Sequence, residues 1–359
     1  MNVELTFAQA IQLALTSSLE LDESVRVFGL GVADVKGVFG TTTGLVDRFG
    51  KDRVFDIPLS ENAVTGAALG MAMIGFKPIM THQRADFSFT SAEQIINQVS
   101  KTYFTSGGKF PISMVIRMIV GRGWGQGPTH AQSPHALYAT VPGLKVVMPA
   151  TPEDAFCMMV DAIQDPNPVL FIEHRWLHEV RSTFSTTAQN IPLTKAKILR
   201  KGTDVTLAAV SYGVIEALKV AAVLERFGIS TEVVNIRSVS PLDRDSLIES
   251  VGITRRFAFL DVAPVKHGMS GEITKIISDA FWGKINVSPL ALGLEFIPVP
   301  SSPYQAKNVY ISPLQVIIAM DQHFDFGIEI ARASEVLEDL YPSRSQLSDQ
   351  PDVGQVGPF

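Results

Sequence analysis

Apolar positions along the chain switch between the three-and-four spacing of helices and the unbroken runs of buried strands. Phe7, Ala10, Ile11, Ala14 and Leu15 make the first helical face, opened by Thr6 and Gln9 at capping-box spacing. Residues 25–30 predict a short strand, and 29–44 a glycine-rich loop. Residues 54–57 read as a strand end leading into PLSENAVTGAALGMAMIG, a tight turn and then a helix. Glu61 stands at the mouth of that helix. Ala63, Gly66, Ala67 and Gly70 follow at three- and four-residue steps, a face bare enough for another backbone to approach closely. Residues 78–81 predict a further strand and 91–103 a helical stretch. ISMVIRM at 112–118 is nearly continuous apolar sequence, as in a parallel strand covered on both faces, and 144–148 and 169–172 repeat that character. Thr151, Pro152, Glu153 and Asp154 give a helix start with N-cap, first-position proline and acidic first turn.

From 181 to 193 the chain turns polar and rich in Ser and Thr, which predicts a linker. Strand and helix spacing then resumes, with strands at 204–210, 231–236 and 257–262 and helices at 213–227 and 271–281. The expected architecture is α/β with two doubly wound domains: 1–185, a linker at 186–198, a second domain at 199–335 and a tail at 336–359. The residues from 342 onward, rich in Ser, Pro, Gln and Asp, are expected to drape or to stay disordered.

Composition narrows the function classes. At 46% hydrophobic and 18% charged, 359 residues can bury two cores. The net charge of −6 carries no sustained basic run, so neither nucleic acid nor an anionic membrane is an expected partner. Cys157, the single cysteine, excludes an internal disulfide and a cysteine-cluster metal site; AFCMMV around it suggests a small buried hydrophobe. With no signal-like N-terminus and no apolar run of transmembrane length, a cytoplasmic protein is expected. The loop KGVFGTTTG lacks both the Walker and the dinucleotide spacing and reads as structural.

The order of KGVFGTTTGL, RVFDIPLSE, ADF at 85–87, EQIINQ, HAQSP, VPGLKVVMPATPEDA and DPNPVLFIEH resembles the beta subunit of the decarboxylating component of 2-oxoacid dehydrogenase complexes. That subunit belongs to the transketolase-like thiamine diphosphate enzymes, and the resemblance spans about residues 4–330. VSPLDRDSL and APVKHGMSGEI look like the transketolase C-terminal domain, following a pyrimidine-binding domain. The resemblance implies a cofactor held between subunits, with a separate alpha subunit binding the diphosphate through magnesium in an α2β2 heterotetramer. The GDG-type magnesium motif is absent from this sequence. The implied reaction decarboxylates a small 2-oxo acid and passes the acyl/enamine unit to a lipoyl transacylase.

Carried over position by position, Glu61 matches the glutamate that hydrogen-bonds the aminopyrimidine nitrogen, where burial would raise its pKa. Phe87 matches the aromatic residue packed on the pyrimidine, and His130 the active-site histidine that stabilises developing charge. An ordinary first-turn glutamate, a core phenylalanine and a surface-loop histidine are the bland alternatives. His135 is a second candidate histidine, and His267 reads as structural. Met114, Ala162, Ile163, Asp165 and Asn167 match positions that bind a structural potassium ion, mostly through backbone oxygens; a DPNP turn alone also explains Asp165 and Asn167.

Several positions depart from the family pattern. Leu30 stands where relatives carry an acid of a carboxylate chain suggested to link paired active sites, whereas Glu93 retains one. His82 and Arg84 stand where relatives are usually apolar, and Arg122 and Trp124 enrich the loop before His130. These groups suggest a more polar or acidic 2-oxo acid than pyruvate. They also leave room for two other functions: a transketolase-like or acyloin-forming carboligase with an aldehyde or ketone acceptor, or a non-catalytic stabilising subunit. A scaffold, however, needs none of Glu61, Phe87 and His130.

Overall fold

A computed structural model describes residues 2–187 and 191–342. The chain divides into two compact units. The first comprises residues 2–121, 129–193 and 238–241, and the second 122–128, 194–237 and 242 onward.

The first unit runs β1 (Asn2–Thr6), α1 (Phe7–Leu21), β2 (Val25–Gly29), α2 (Leu45–Phe49), β3 (Val54–Phe55), α3 (Glu61–Met73), β4 (Lys77–His82). A 3-10 helix (Ala85–Ser91) and a π-helix (Gln94–Val99) follow, then α4 (Thr102–Thr105), β5 (Val115–Val120), α5 (His135–Ala139), β6 (Lys145–Val147), α6 (Pro152–Gln164), β7 (Val169–His174) and β8 (Arg181–Ser185). The second runs β9 (Lys197–Arg200), β10 (Val205–Ala209), α7 (Gly213–Glu225) and β11 (Thr231–Asn235). After β12 (Ser238–Ser240), which belongs to the first sheet, come α8 (Arg244–Thr254), β13 (Phe257–Pro264), α9 (Ser270–Ala280), β14 (Leu290–Leu294), α10 (Pro303–Ala306), α11 (Pro313–Phe324) and α12 (Ile330–Leu340).

The first sheet has the order β12-β6-β7-β5-β4-β2-β3, parallel except for β12. The chain goes from β2 outward to β3, then crosses back to β4 on the other side of β2. The topology therefore reverses between β2 and β4, and ligands of open α/β sheets bind outside the carboxyl ends of strands at such a point. The second sheet has the order β14-β13-β10-β11-β9, parallel apart from β9. Its reversal lies between β10 and β13.

Local signals hold where the sequence placed them. Thr6 Oγ1 accepts from the Gln9 backbone N–H and Gln9 Oε1 from that of Thr6, closing the capping box of α1. Thr151 caps α6 by accepting the Asp154 N–H at 3.0 Å. Ala10, Ile11, Ala14 and Leu15 are fully buried on the face of α1 that meets α6.

Three features differ from the expected organisation. Residues 181–185 form strand β8, antiparallel to β1, and not linker; Phe184 is buried in it, and alternating Ser and Thr suit a strand with one wet face. Ser238–Ser240 returns to pair with β6 of the first sheet although it lies deep in the second stretch of sequence. Helix α12 continues to Leu340, past the expected domain end at 335. Cys157 is half-buried, not fully buried. The expectation for the tail from 343 onward lies outside the described residues. Among the described residues, no helix is long and apolar enough to cross a membrane.

Candidate active site

Glu61 opens α3 and is half-buried. The helix turns Thr65, Ala68, Leu69 and Ala72 inward and leaves Ala63, Ala67 and Gly70 exposed. Its first turn adjoins the 3-10 helix: the Asn62 amide donates to the Thr90 carbonyl at 3.5 Å, and Gly66 lies where an added Cβ would come within 3.0 Å of the Gln94 amide oxygen. Glu61 is thus set beside the element that carries Phe87.

Phe87 and His130 meet directly. Their ring centroids are 5.5 Å apart at 89°, edge against face. Two links pin the His130 loop to the Phe87 turn. Gln132 donates through its side chain to Asp86 Oδ1 at 2.8 Å, and Ser88 and Tyr138 share a hydroxyl–hydroxyl bond of 2.7 Å. Thr129 Oγ1 lies 3.0 Å from His130 Nδ1. With that hydroxyl donating, the neutral imidazole keeps its proton on Nε2, the nitrogen facing away from Thr129.

The structure separates the remaining candidates. His135 is fully buried in the first turn of α5, unlike half-buried His130. His267 is exposed on the turn after β13, in the left-handed region at φ 61° and edge-on to Phe296. Arg122 does not share a unit with Arg84: it pairs with Glu216 at 3.3 Å and lies over Tyr310 inside the second unit. Trp124 is exposed on the same segment. Leu30 presents its carbonyl to the Gln83 amide at 2.7 Å, tying the ends of β2 and β4 together, and Glu93 is exposed and accepts from Gln94 and Gln98.

The five positions considered for potassium lie at the opposite, amino ends of β5 and β7. The Met114 carbonyl accepts the Val169 N–H at 2.9 Å. Asp165 Oδ1 accepts from the Asn167 backbone at 2.9 Å, and its other oxygen pairs with Lys145. The Asp165 carboxylate is therefore already neutralised, which suits the turn reading of Asp165 and Asn167; Ala162 and Ile163 offer only carbonyls at the end of α6.

One network was missed. Arg117 and Glu173, charged residues inside otherwise apolar runs, are both fully buried and form a bidentate pair with Nε–Oε1 of 2.7 Å and Nη2–Oε2 of 3.0 Å. Burial pushes the Glu173 carboxyl up, but the Arg117 charge, the neighbouring His178 and the hydrogen bonds from Arg117 outweigh it and hold it at about 2. Arg117 Nη2 also donates to Thr41 Oγ1 at 2.9 Å, and Thr42 bonds the Val32 carbonyl at 2.9 Å. These bonds anchor KGVFGTTTGL to the core, making it the structural loop its spacing suggests. The signal was present: a lone charge in a strand buried on both faces needs a partner.

His82, fully buried at the end of β4, is held by that burial at about 4, against 6.5 for a free histidine. Between those values the unfolded chain binds a proton that the folded chain refuses, so stability is lost as pH falls from about 6.5 towards 4. One such group contributes at most about 3 kcal/mol. Urea unfolding at pH 7.5 and 5 is expected to show this loss in the natural chain and a smaller one in His82→Phe. Equal losses in both would remove His82 as a source.

Comparison with known proteins bears on the fold and the family. Residues 3–179 match the transketolase pyrimidine-binding domain and 194–316 the transketolase C-terminal domain. A solved structure described as a split-gene transketolase in an inactive beta4 tetramer superposes with a TM-score of 0.73 at 20% identity, covering 90% of this chain and 99% of its own. The fold is that of the transketolase-type enzymes. Two relatives narrow the group. The pyruvate dehydrogenase E1 component subunit beta of Bacillus subtilis (strain 168) is 40% identical over 309 residues, 86% of this chain and 94% of its own. The 2-oxoisovalerate dehydrogenase subunit beta of the same organism is 34% identical over 324 residues, 90% and 99% of the two chains. The chain belongs to the family of beta subunits of 2-oxo acid dehydrogenase E1 components, a thiamine diphosphate-dependent family.

The first unit suits the aminopyrimidine end of that cofactor. Phe87 offers a half-exposed aromatic face and Glu61 a half-exposed carboxyl on the neighbouring helix. Four side-chain atoms from Thr81 to Asp86, namely Thr81 Oγ1, His82 Nε2, Arg84 Nη1 and Asp86 Oδ2, are buried with no hydrogen-bond partner, as expected where a ligand or water completes a site. The donor set does not suit a magnesium–diphosphate group: no three His, Cys, Asp or Glu side chains gather as a metal site among the described residues.

Proposed function

We propose that this chain is the pyrimidine-holding beta subunit of a thiamine diphosphate-dependent enzyme that decarboxylates a 2-oxo acid and hands the acyl unit to a lipoyl transacylase. The observation that carries this reading is the edge-on meeting of Phe87 and His130 beside the helix that Glu61 opens, in a chain of this family. When bound, thiamine diphosphate supplies a carbon nucleophile for the 2-oxo carbon and a sink for the electron pair left by departing carbon dioxide.

The work of this chain is to position and to move protons. Phe87 fixes the plane of the aminopyrimidine. The Glu61 carboxyl holds a proton at the pyrimidine ring nitrogen, and its place in the first turn of α3 gives it the positive end of the helix dipole. His130, braced through Nδ1 by Thr129, donates from Nε2 to a carboxylate or carbonyl oxygen of the substrate. A separate alpha subunit supplies the magnesium and diphosphate contacts in a cytoplasmic α2β2 assembly. Potassium, in this reading, takes backbone oxygens of Met114, Ala162, Ile163, Asp165 and Asn167.

The test is reconstitution of the full chain with an alpha chain bearing the magnesium–diphosphate motif. Carbon dioxide release that needs both chains, the cofactor and a lipoyl acceptor is expected. Product formed only with an aldehyde acceptor redirects the reading to carboligation, and no turnover of any 2-oxo acid by the assembled pair overturns it.

A further inference from the structure

The carboxyl edge of the first sheet carries a feature that the proposed chemistry leaves unused. Strands β7, β5 and β4 are neighbours; Arg175 and Gly121 directly follow β7 and β5, and Arg84 follows the end of β4 by two residues. Gly121 has φ 150°, and a Cβ added there would meet Arg175 Cβ at 3.0 Å and Arg84 Nη1 at 3.6 Å. The two arginines therefore flank a position kept clear of any side chain. Both guanidiniums also lie over the ring of Phe39, with centroid distances of 5.7 Å for Arg84 and 4.8 Å for Arg175.

Arg84 is 5% exposed, and its Nη1 has no hydrogen-bond partner. No carboxylate pairs with it among the described residues. Asp86 acts on it from a distance, with Oδ1 committed to Gln132. Burial first, and then the charge of Arg175, lower its proton affinity to about 10, so it is still a cation at neutral pH. A buried guanidinium with an open donor, set against a second one, is costly unless an anion completes it. The Arg84 carbonyl accepts the Phe87 N–H at 3.1 Å, so the Arg84 backbone lies one short turn from the residue whose ring meets His130.

We propose that Arg84 and Arg175, spaced by Gly121, seat a second oxyanion of the substrate, a carboxylate or a phosphate at the end remote from the 2-oxo acid group. This rests on the proposed function for the identity of the substrate but not for the existence of the seat. A planar fork with an open edge matches either oxyanion. The substrate class is then an acidic 2-oxo acid, dicarboxylic or phosphorylated.

Three measurements separate the seat from the reaction. Titration of the full chain with succinate and, separately, inorganic phosphate is expected to show saturable binding that Arg84→Gln weakens at least tenfold and Arg84→Lys partly restores. The tighter of the two probes identifies the oxyanion. Because Nη1 has no protein partner, Arg84→Met is expected to melt at or above the temperature of the natural chain. A melting temperature lowered by many degrees would mark Arg84 as a structural cation and overturn the seat, as would the absence of saturable binding or binding untouched by Arg84→Gln. In the reconstituted enzyme, the ratio of kcat/KM for 2-oxoglutarate or phosphonopyruvate to that for pyruvate is expected to fall at least tenfold in Arg84→Gln, mainly through KM. Equal losses for all substrates overturn the inference. Anion binding that depends on Arg84 without turnover of any 2-oxo acid upholds the seat and sinks the proposed function.

Discussion

Glu61→Gln is expected to lower cofactor-dependent decarboxylation by the reconstituted complex by about 10²–10⁴-fold, the usual loss when a positioned proton-transfer group is removed. Glutamine keeps the length and the hydrogen-bonding shape of the side chain but cannot exchange a proton with the pyrimidine nitrogen. Stability offers a clean control, because Glu61 is half-buried in the first turn of α3 and no other described side chain pairs with it. Its loss removes only a dipole contribution, below about 1 kcal/mol. An unchanged melting temperature with collapsed turnover is the expected pair of results. Undiminished turnover rules out the role given to Glu61.

Glu173→Gln is expected to cost about 3–5 kcal/mol, the penalty for stranding a buried charge by deleting its partner. Arg117 is fully buried with its Nε and Nη2 committed to Glu173. Two neighbours extend the effect. Thr41 loses the poise of the arginine that holds its loop, and His178, stacked on Phe7, loses the carboxylate that lies 3.3 Å from its Nε2. A denaturant midpoint lowered by that amount is the expected reading, with much of it restored when Arg117→Met is added. A loss below about 1 kcal/mol would show the pair to be hydrated. Acid acts on the same pair: Glu173 contributes stability above its free value of 4.5, and that contribution is lost as pH falls towards about 2.

The two experiments separate what the sequence made legible from what it hid. Short-range chemistry was readable, since Thr6 with Gln9 and Thr151 with Asp154 each settle their own helix start through atoms three residues apart. Glu61, Phe87 and His130 stood out because their flanking motifs keep a family order, and the fold sets the two rings edge to face beside the helix that Glu61 opens. Long-range pairing was not readable. Ser and Thr at 181–185 look like linker until β1 supplies a partner, and Ser238–Ser240 gives no sign that its neighbour is β6. Arg122 shows the same limit from the other side. Eight residues before His130 in sequence, it nonetheless belongs to the unit that contains Glu216.

Gly121 carries a consequence for how such sites diversify. An absent Cβ at 121 leaves room beside the Arg175 backbone and the Arg84 guanidinium, so a residue with no charge of its own shapes the surroundings of two charged ones. Exchanging arginines changes what is attracted, whereas a methyl group at 121 would crowd Arg175 and strain a backbone held at φ 150°. A library that varies the charged positions and keeps glycine at 121 therefore samples chemistry on an unstrained backbone.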